Sequence, residues 1–160
     1  MLIRPEKESD NPAIYALLTD VFGQAQEANL VDNLRADGDL AISLVARDRD
    51  DVIGHIALSR LRSPAGALAL APLAVATSRQ RSGVGASLVK AAIVSARQID
   101  TGIIFVLGDP AYYTRFGFDA ELAAAFPSPY AGPHFTALLL AAHSPPIAPV
   151  IYGDAFDKLC

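Results

Sequence analysis

Residues 68–97, LALAPLAVATSRQRSGVGASLVKAAIVSAR, constrain this chain more than any other stretch. They read as an apolar strand, a short polar loop with two arginines and two glycines, and then a helix. The run Leu68 to Val75 has the length of a buried strand, and Pro72 interrupts it. Proline cannot donate to a ladder, so it predicts a bulge or a strand that parts from its neighbour. Beyond the loop, Val84, Leu88, Ala91, Ala92 and Ser95 recur at helical spacing. A helix start exposes unpaired N–H groups and the positive end of a dipole. Gly83 and Gly85 let the backbone close on a bulky anion there, and Arg79 and Arg81 add charge. The stretch predicts a phosphate-cradling loop.

Two common phosphate loops do not fit. GxxxxGK[ST] and GxGxxG each require a glycine where Leu88 stands. This weighs against a nucleotide-binding protein of either kind. The pattern present is Gln80-x-x-Gly83-x-Gly85, preceded by Pro72-Leu73-Ala74-Val75. It resembles the acetyl-coenzyme A motif of the GNAT superfamily of N-acetyltransferases. Downstream, Ile103–Leu107 is a second β-type run, and Gly108-Asp109-Pro110 ends it. Tyr113-Thr114-Arg115-Phe116-Gly117-Phe118 then resembles the superfamily's Tyr-x-x-x-Gly-Phe signature. LGDPAYYTRFGF and PLAVATSRQRSGVG together look like the YhbS-type acetyltransferases of that superfamily.

The resemblance implies an α/β domain spanning residues 1–160. Its central sheet is mixed, mostly antiparallel and twisted, with a V-shaped splay between two parallel central strands and helices on its faces. It implies acetyl transfer from acetyl-CoA to a primary amine by direct attack in a ternary complex. Cofactor contacts are expected from Leu73, Ala74, Val75, Gln80, Arg81, Ser82, Gly83, Val84, Gly85 and Ala86. A backbone N–H near Leu73 or Ala74 is the candidate oxyanion donor. Tyr113 matches the tyrosine that serves the departing thiolate, while Tyr112 reads as aromatic packing. Asp109-Pro110 stands where the commoner pattern has a longer, asparagine-bearing approach, so the helix carrying Tyr113 is expected to be short. A non-catalytic acyl-CoA binding or regulatory module on the same fold is the alternative, because a fold does not by itself confer an activity.

The rest of the chain supplies the frame. Leu2–Arg4 reads as a first strand, and Asp10-Asn11-Pro12 as a capped helix start. Ile14, Leu17, Leu18 and Val21 stripe that helix, and Gly23 ends it. A second helix over about 25–36 places Glu27, Leu30, Val31 and Leu34 on one face. Glu27 has two readings: a carboxylate favoured by a helix N-terminus, or a tentative catalytic group that meets an amine. Ala41–Ala46 and Val52–Ser59 read as a hairpin about Asp48–Asp51. His55 in its second strand is read first as a hydrogen-bonded core residue and second as a cleft residue. Residues 120–125 suggest a brief helix, 134–142 a strand, 150–152 an edge strand, and 153–160 a tail.

Charge and cysteine content exclude several function classes. With 13 basic and 17 acidic residues the net charge is −4, which argues against general nucleic-acid binding. The single cysteine, Cys160, supports neither a disulfide framework nor a metal cluster, and reads as an exposed terminal thiol. No apolar run approaches the roughly 18 residues of a membrane span. A cytoplasmic monomer or homodimer, without metal and without membrane or nucleic-acid partners, is the expectation.

Overall fold

Six strands form one sheet in chain order in a computed structural model that describes residues 1–159. They are β1 (Leu2–Pro5), β2 (Leu40–Asp48), β3 (Asp51–Arg60), β4 (Ala67–Val75), β5 (Ile103–Leu107) and β6 (Phe135–Leu139). Cys160 lies outside the described residues. Every neighbouring pair is antiparallel except β4 and β5, which run parallel. The crossover between those two is α3 (Val84–Gln98), as strand–helix–strand connections require. Two further long helices, α1 (Asn11–Phe22) and α2 (Gln26–Asp37), precede β2. Short helices α4 (Pro110–Tyr113) and α5 (Ala120–Ala124) lie between β5 and β6.

Strand alternation distributes the core between the two faces. Ile56 and Leu58 of β3 point with Leu68 and Leu70 of β4 toward Leu88, Val89 and Ala92 of α3. Ala57, one residue out of phase, packs with Ile14, Leu18, Ala28 and Val31 of α1 and α2. Each fully buried aliphatic side chain here contributes about 1.5–3 kcal/mol. Phe105, Phe126 and Phe135 form a second core under β5 and β6, with ring centroids 5.2 and 5.4 Å apart. α3 approaches β3 closely because Gly54 has no side chain. A Cβ there would lie 2.9 Å from Leu88 Cδ1 and 3.0 Å from Val84 Cγ1.

β4 keeps its faces only by slipping once. Leu68 and Leu70 face α3, yet so do Leu73 and Val75, which have the opposite parity. The slip is a bulge at Ala71–Pro72, where Ile56 pairs with Leu73 but Leu58 pairs with Leu70. Pro72 therefore performs the strand-breaking role expected of it.

Three sequence expectations need correction. Asp10 does not cap α1; its carboxylate turns back to accept the Lys7 N–H at 2.7 Å and the Arg4 guanidinium at 2.7 and 3.1 Å. The bidentate arginine outcompetes a single backbone donor, and holds the Asp10 carboxyl down at about 2. Residues 150–152 make only an isolated bridge, Ile151 to Ser63, because Pro149 before the segment and Pro64 beside its partner limit ladder donors. The segment after Gly153 is no loose tail. A 3-10 turn over Asp154–Lys158 packs Ala155 and Phe156 against Leu30 and Leu34 of α2.

A polar chain is embedded among these helices. Glu6 is held by Arg35 at 2.8 and 3.0 Å and accepts the Ser43 hydroxyl. Ser43 has one proton to give, so His55 Nε2, 2.8 Å away, donates to it. His55 is fully buried, and its Nδ1 has no protein partner. Burial pushes this imidazole down to about 4, with the Arg35 charge assisting and the Glu6 carboxylate opposing.

Two stability tests arise from this packing. Gly54→Val destabilises by about 1–3 kcal/mol through overpacking, and Leu88→Ala in the same chain recovers part of that loss in a double-mutant cycle of denaturant unfolding. Since His55 is neutral when folded down to about pH 4 but charged above that when unfolded, its contribution is present above pH 6.5 and lost as pH falls toward 4. The loss attributable to it is about 3 kcal/mol. His55→Gln flattens the stability profile across that window; an unchanged slope would assign the acid sensitivity elsewhere.

Candidate active site

The site begins where β4 leaves β5. Their pairing runs from Ala67 with Ile103 to Leu70 with Val106 and stops there. β4 continues along β3 to Val75, whereas β5 continues along β6 to Leu107. The two parallel strands thus splay at their carboxyl ends, the favoured ligand position in such sheets. The Ala76 N–H donates to Ile53 O at 2.8 Å. Alternation then turns the Ala74 N–H toward β3 and the Leu73 and Val75 N–H groups toward the gap. Gln80 Nε2 closes the far end by donating to Val75 O at 3.1 Å.

The loop after β4 wraps toward the helix start. Thr77–Arg79 form a 3-10 turn, Arg81 takes a left-handed φ of 62°, and Gly83 takes one of 89° as the residue capping α3. Such a φ is unstrained only for glycine, which explains Gly83 locally. The Ser87 N–H bonds Gly83 O at 3.0 Å, leaving the preceding N–H groups of the first turn without intrahelical acceptors. A cleft of 480 Å³ opens over this turn. Of the ten residues expected to contact the anion, Leu73, Ala74, Val75, Gln80, Arg81, Gly83, Gly85 and Ala86 line it. Ser82 and Val84 do not: Ser82 donates its hydroxyl to Arg79 O, and Val84 buries its side chain in the core.

The arginines divide their work. Arg79 lines the cleft but is tied to Asp48 at 2.7 Å, whereas Arg81 makes no ion pair among the described residues. Arg115 was not anticipated. It lines the same cleft, with its guanidinium 5.0 Å from the centre of the Tyr112 ring. Its only sequence signal is a basic residue inside the Tyr-to-Phe string.

The two tyrosines of α4 take different places. The helix is one turn long, with Asp109 Oδ1 accepting the Ala111 N–H at 3.0 Å. Tyr112 lines the cleft, and its hydroxyl lies 2.8 Å from where a Cβ on Gly85 would stand. The expectation that Tyr112 only packs is thus too narrow. Tyr113 packs its ring on Phe118 at 5.7 Å and over Gly108 at the end of β5. A Cβ at Gly108 would come within 2.7 Å of that ring. Burial, with Tyr112 adding to it, pushes the Tyr113 hydroxyl up to about 12.

A second cavity, of 330 Å³, lies beside the same bend. Ala69–Pro72 of β4 line it, immediately before the Leu73–Val75 stretch that lines the cleft. Glu27 stands at its wall near Leu30, so α2 does bring this carboxylate to a cavity. Gln24 Nε2 donates to both its oxygens, at 2.7 and 3.1 Å. Tyr130, Tyr152 and Phe156 complete the wall from segments read as loop, edge strand and tail. Their positions depend on pairing at long sequence separation, which no local pattern announces. His55 lines neither cavity, and its cleft reading is not realised.

Among the described residues no group of three or more His, Cys, Asp or Glu side chains is positioned for a metal ion. No helix among the described residues is long and apolar enough to cross a membrane.

Comparison with known proteins agrees with this geometry. The sequence model of the Acetyltransferase (GNAT) family matches residues 11–118. The chain is 42% identical over 128 residues to the N-acetyltransferase YhbS of Escherichia coli K12, covering 78% of this chain and 75% of that one. The crystal structure of the E. coli YhbS protein in complex with CoA superposes with a TM-score of 0.89 at 32% identity, covering 98% and 92% of the two chains. A GNAT family acetyltransferase from Brucella melitensis, in complex with acetyl-CoA, gives 0.85 at 31% identity, covering 98% and 97%. With that family match over more than half its length, and a splayed β4–β5 pair above a glycine-opened helix start, the chain belongs to the acetyltransferase (GNAT) family.

Proposed function

We propose that this protein transfers an acetyl group from acetyl-CoA to a primary amine by direct attack, with both substrates bound at once. The observation that carries this reading is the position of the two cavities. One continuous stretch of β4 borders both, so a thioester in the first and an amine in the second meet at the bend. The relatives crystallised with CoA or acetyl-CoA support the assignment of the cleft. A cytoplasmic site of action belongs to the same reading.

The residues present suit coenzyme A. Unpaired N–H groups at the start of α3, with Arg81 and Arg115, supply donors and positive charge for a pyrophosphate. The gap-facing N–H groups of Leu73 and Val75, with the Leu73 C=O, match an extended amide chain such as pantetheine. When bound, acetyl-CoA supplies an activated acyl group. The Leu73 N–H is the better oxyanion donor than that of Ala74, because it faces the gap.

The chemistry then needs two proton movements. The amine gives up a proton as its nitrogen attacks the acyl carbon, and Glu27 receives it directly or through water. As the C–S bond breaks, the sulfur needs a hydrogen bond or a proton. Tyr113 lies against Gly108, the residue after β5, though it lines neither cavity. With its hydroxyl at about 12 against about 8.5 for a thiol, full transfer is uphill by about 5 kcal/mol. Tyr113 therefore acts as a hydrogen-bond donor to the leaving sulfur rather than as a strong acid.

Gly85→Val weakens CoA binding more than tenfold, about 1.4 kcal/mol, while the melting curve holds. Calorimetry checks this, and the milder Gly85→Ala in a Tyr112→Phe background separates blocking of the ligand from displacement of the Tyr112 hydroxyl. Undiminished affinity would remove the loop from the cofactor site.

Kinetics separate the remaining roles. Tyr113→Phe slows acetyl transfer by about 10²-fold with CoA affinity unchanged. Tyr112→Phe lowers affinity and leaves the transfer step alone. Glu27→Gln depresses turnover without affecting CoA binding. If both tyrosine variants behave alike, Tyr113 has no special place at the sulfur.

A further inference from the structure

The second cavity carries more than a position for an amine; its walls select the amine. At 330 Å³ it sits at the small end of ligand pockets, which run from about 300 to 1,000 Å³. Its surface is mostly hydrocarbon, from Leu30, Pro72, Phe105 and Leu107. A row of rings forms one side, with Tyr130 and Tyr152 centred 5.3 Å apart and Tyr152 and Phe156 4.8 Å apart. Against this, Glu27 is the one charged side chain among the described residues of the wall.

We propose that the acceptor is a small monoamine with an aromatic or bulky apolar body, its ammonium met by Glu27 and its body held by Tyr130, Tyr152 and Phe156. The inference rests on the acetyl-transfer reading above and names its substrate class. One carboxylate balances one ammonium. A second cationic centre, as in a polyamine or an aminoglycoside, would lose its water against Leu30, Phe105 and Phe156 with no counter-charge. The rings add what an apolar body needs, because aromatic pairs prefer edge or offset contacts of the kind this row presents. In the reaction the bound ammonium first releases one proton to solvent. The neutral amine then loses a second to Glu27 as the C–N bond forms, the C–S bond breaks, and coenzyme A leaves as the thiol with a proton drawn from solvent.

Leu107 supplies the test, since it lines the cavity at the free end of β5 and is 50% exposed, so its replacement spares the core. Thiol release from acetyl-CoA is followed with 2-phenylethylamine, spermidine, kanamycin and a lysine-containing tetrapeptide. The expected result is a kcat/KM for 2-phenylethylamine at least tenfold above each of the others. Leu107→Lys raises its KM at least tenfold, Leu107→Gln raises it less, and CoA affinity is unchanged in both. A preference for spermidine, kanamycin or the peptide overturns the inference and leaves acetyl transfer standing. If CoA binds but no amine releases thiol, the acetyl-transfer reading fails instead. Calorimetry of 2-phenylethylamine on the CoA-bound protein then decides the cavity by itself. Binding that Leu107→Lys weakens tenfold upholds the selectivity, and no binding overturns it.

Discussion

The structure depends on one broken ladder. Parallel strands normally pair along their length, because each unpaired backbone group in a dry interior costs free energy. β4 abandons β5 after Leu70 while staying paired with β3, and the bulge at Ala71–Pro72 lets both conditions hold. The extra residue lets Leu73 and Val75 stay on the face that Leu68 and Leu70 already occupy, so the core on the α3 side remains continuous through the bend. Without that slip, opening the gap would turn the following side chains to the wrong face. The same residues that keep the core intact thus leave a row of backbone groups free for an extended ligand.

The helix that follows brings its unpaired N–H groups to this gap. α3 packs against β3 over Gly54, whose missing side chain admits Leu88 and Val84. Val84 is the first residue of the helix, so the packing that anchors it also aims the unpaired N–H groups of that first turn at the cleft. Gly83 and Gly85 serve different needs at this point. Gly83 supplies a left-handed cap, whereas Gly85, with no such conformation, leaves room for the Tyr112 hydroxyl. Arg81 and Arg115 reach the same place from opposite sides of the crossover.

The two flanks of the bend differ in chemistry as sharply as in position. One combines helix-start donors with guanidinium groups. The other is lined by aromatic and aliphatic side chains with a lone described carboxylate. The donor-rich cleft and the carboxylate-bearing cavity thus lie on either side of one stretch of β4. The partly buried Glu6–Ser43–His55 chain stands outside this division and, with Arg35, ties the end of β1 to β2, β3 and α2. Its imidazole is buried behind Ala74 of β4 and lines neither cavity.

What the sequence by itself determined was local. The strand–loop–helix order, the bulge at Pro72, the glycines at the helix start and the Tyr113–Phe118 signature are all set by neighbours a few residues apart. They were sufficient to identify the family and most of the anion cleft, because helix ends and turns are short-range physics. The tertiary structure decided the rest. Arg115 joins the cleft only because the 3-10 turn after α4 sets it beside Tyr112, whose hydroxyl reaches Gly85 of α3. Tyr112 rather than its neighbour lines the cleft because a single helical turn leaves the two rings at right angles, and their planes meet at 86°. Tyr130, Tyr152 and Phe156 become a wall only when the chain's last turn docks on α2. Asp10 left its helix for Arg4 because a bidentate partner on β1 is within reach only after that strand is placed. Pairings between distant segments carry no periodicity, so residues whose roles depend on them are invisible until the sheet has formed.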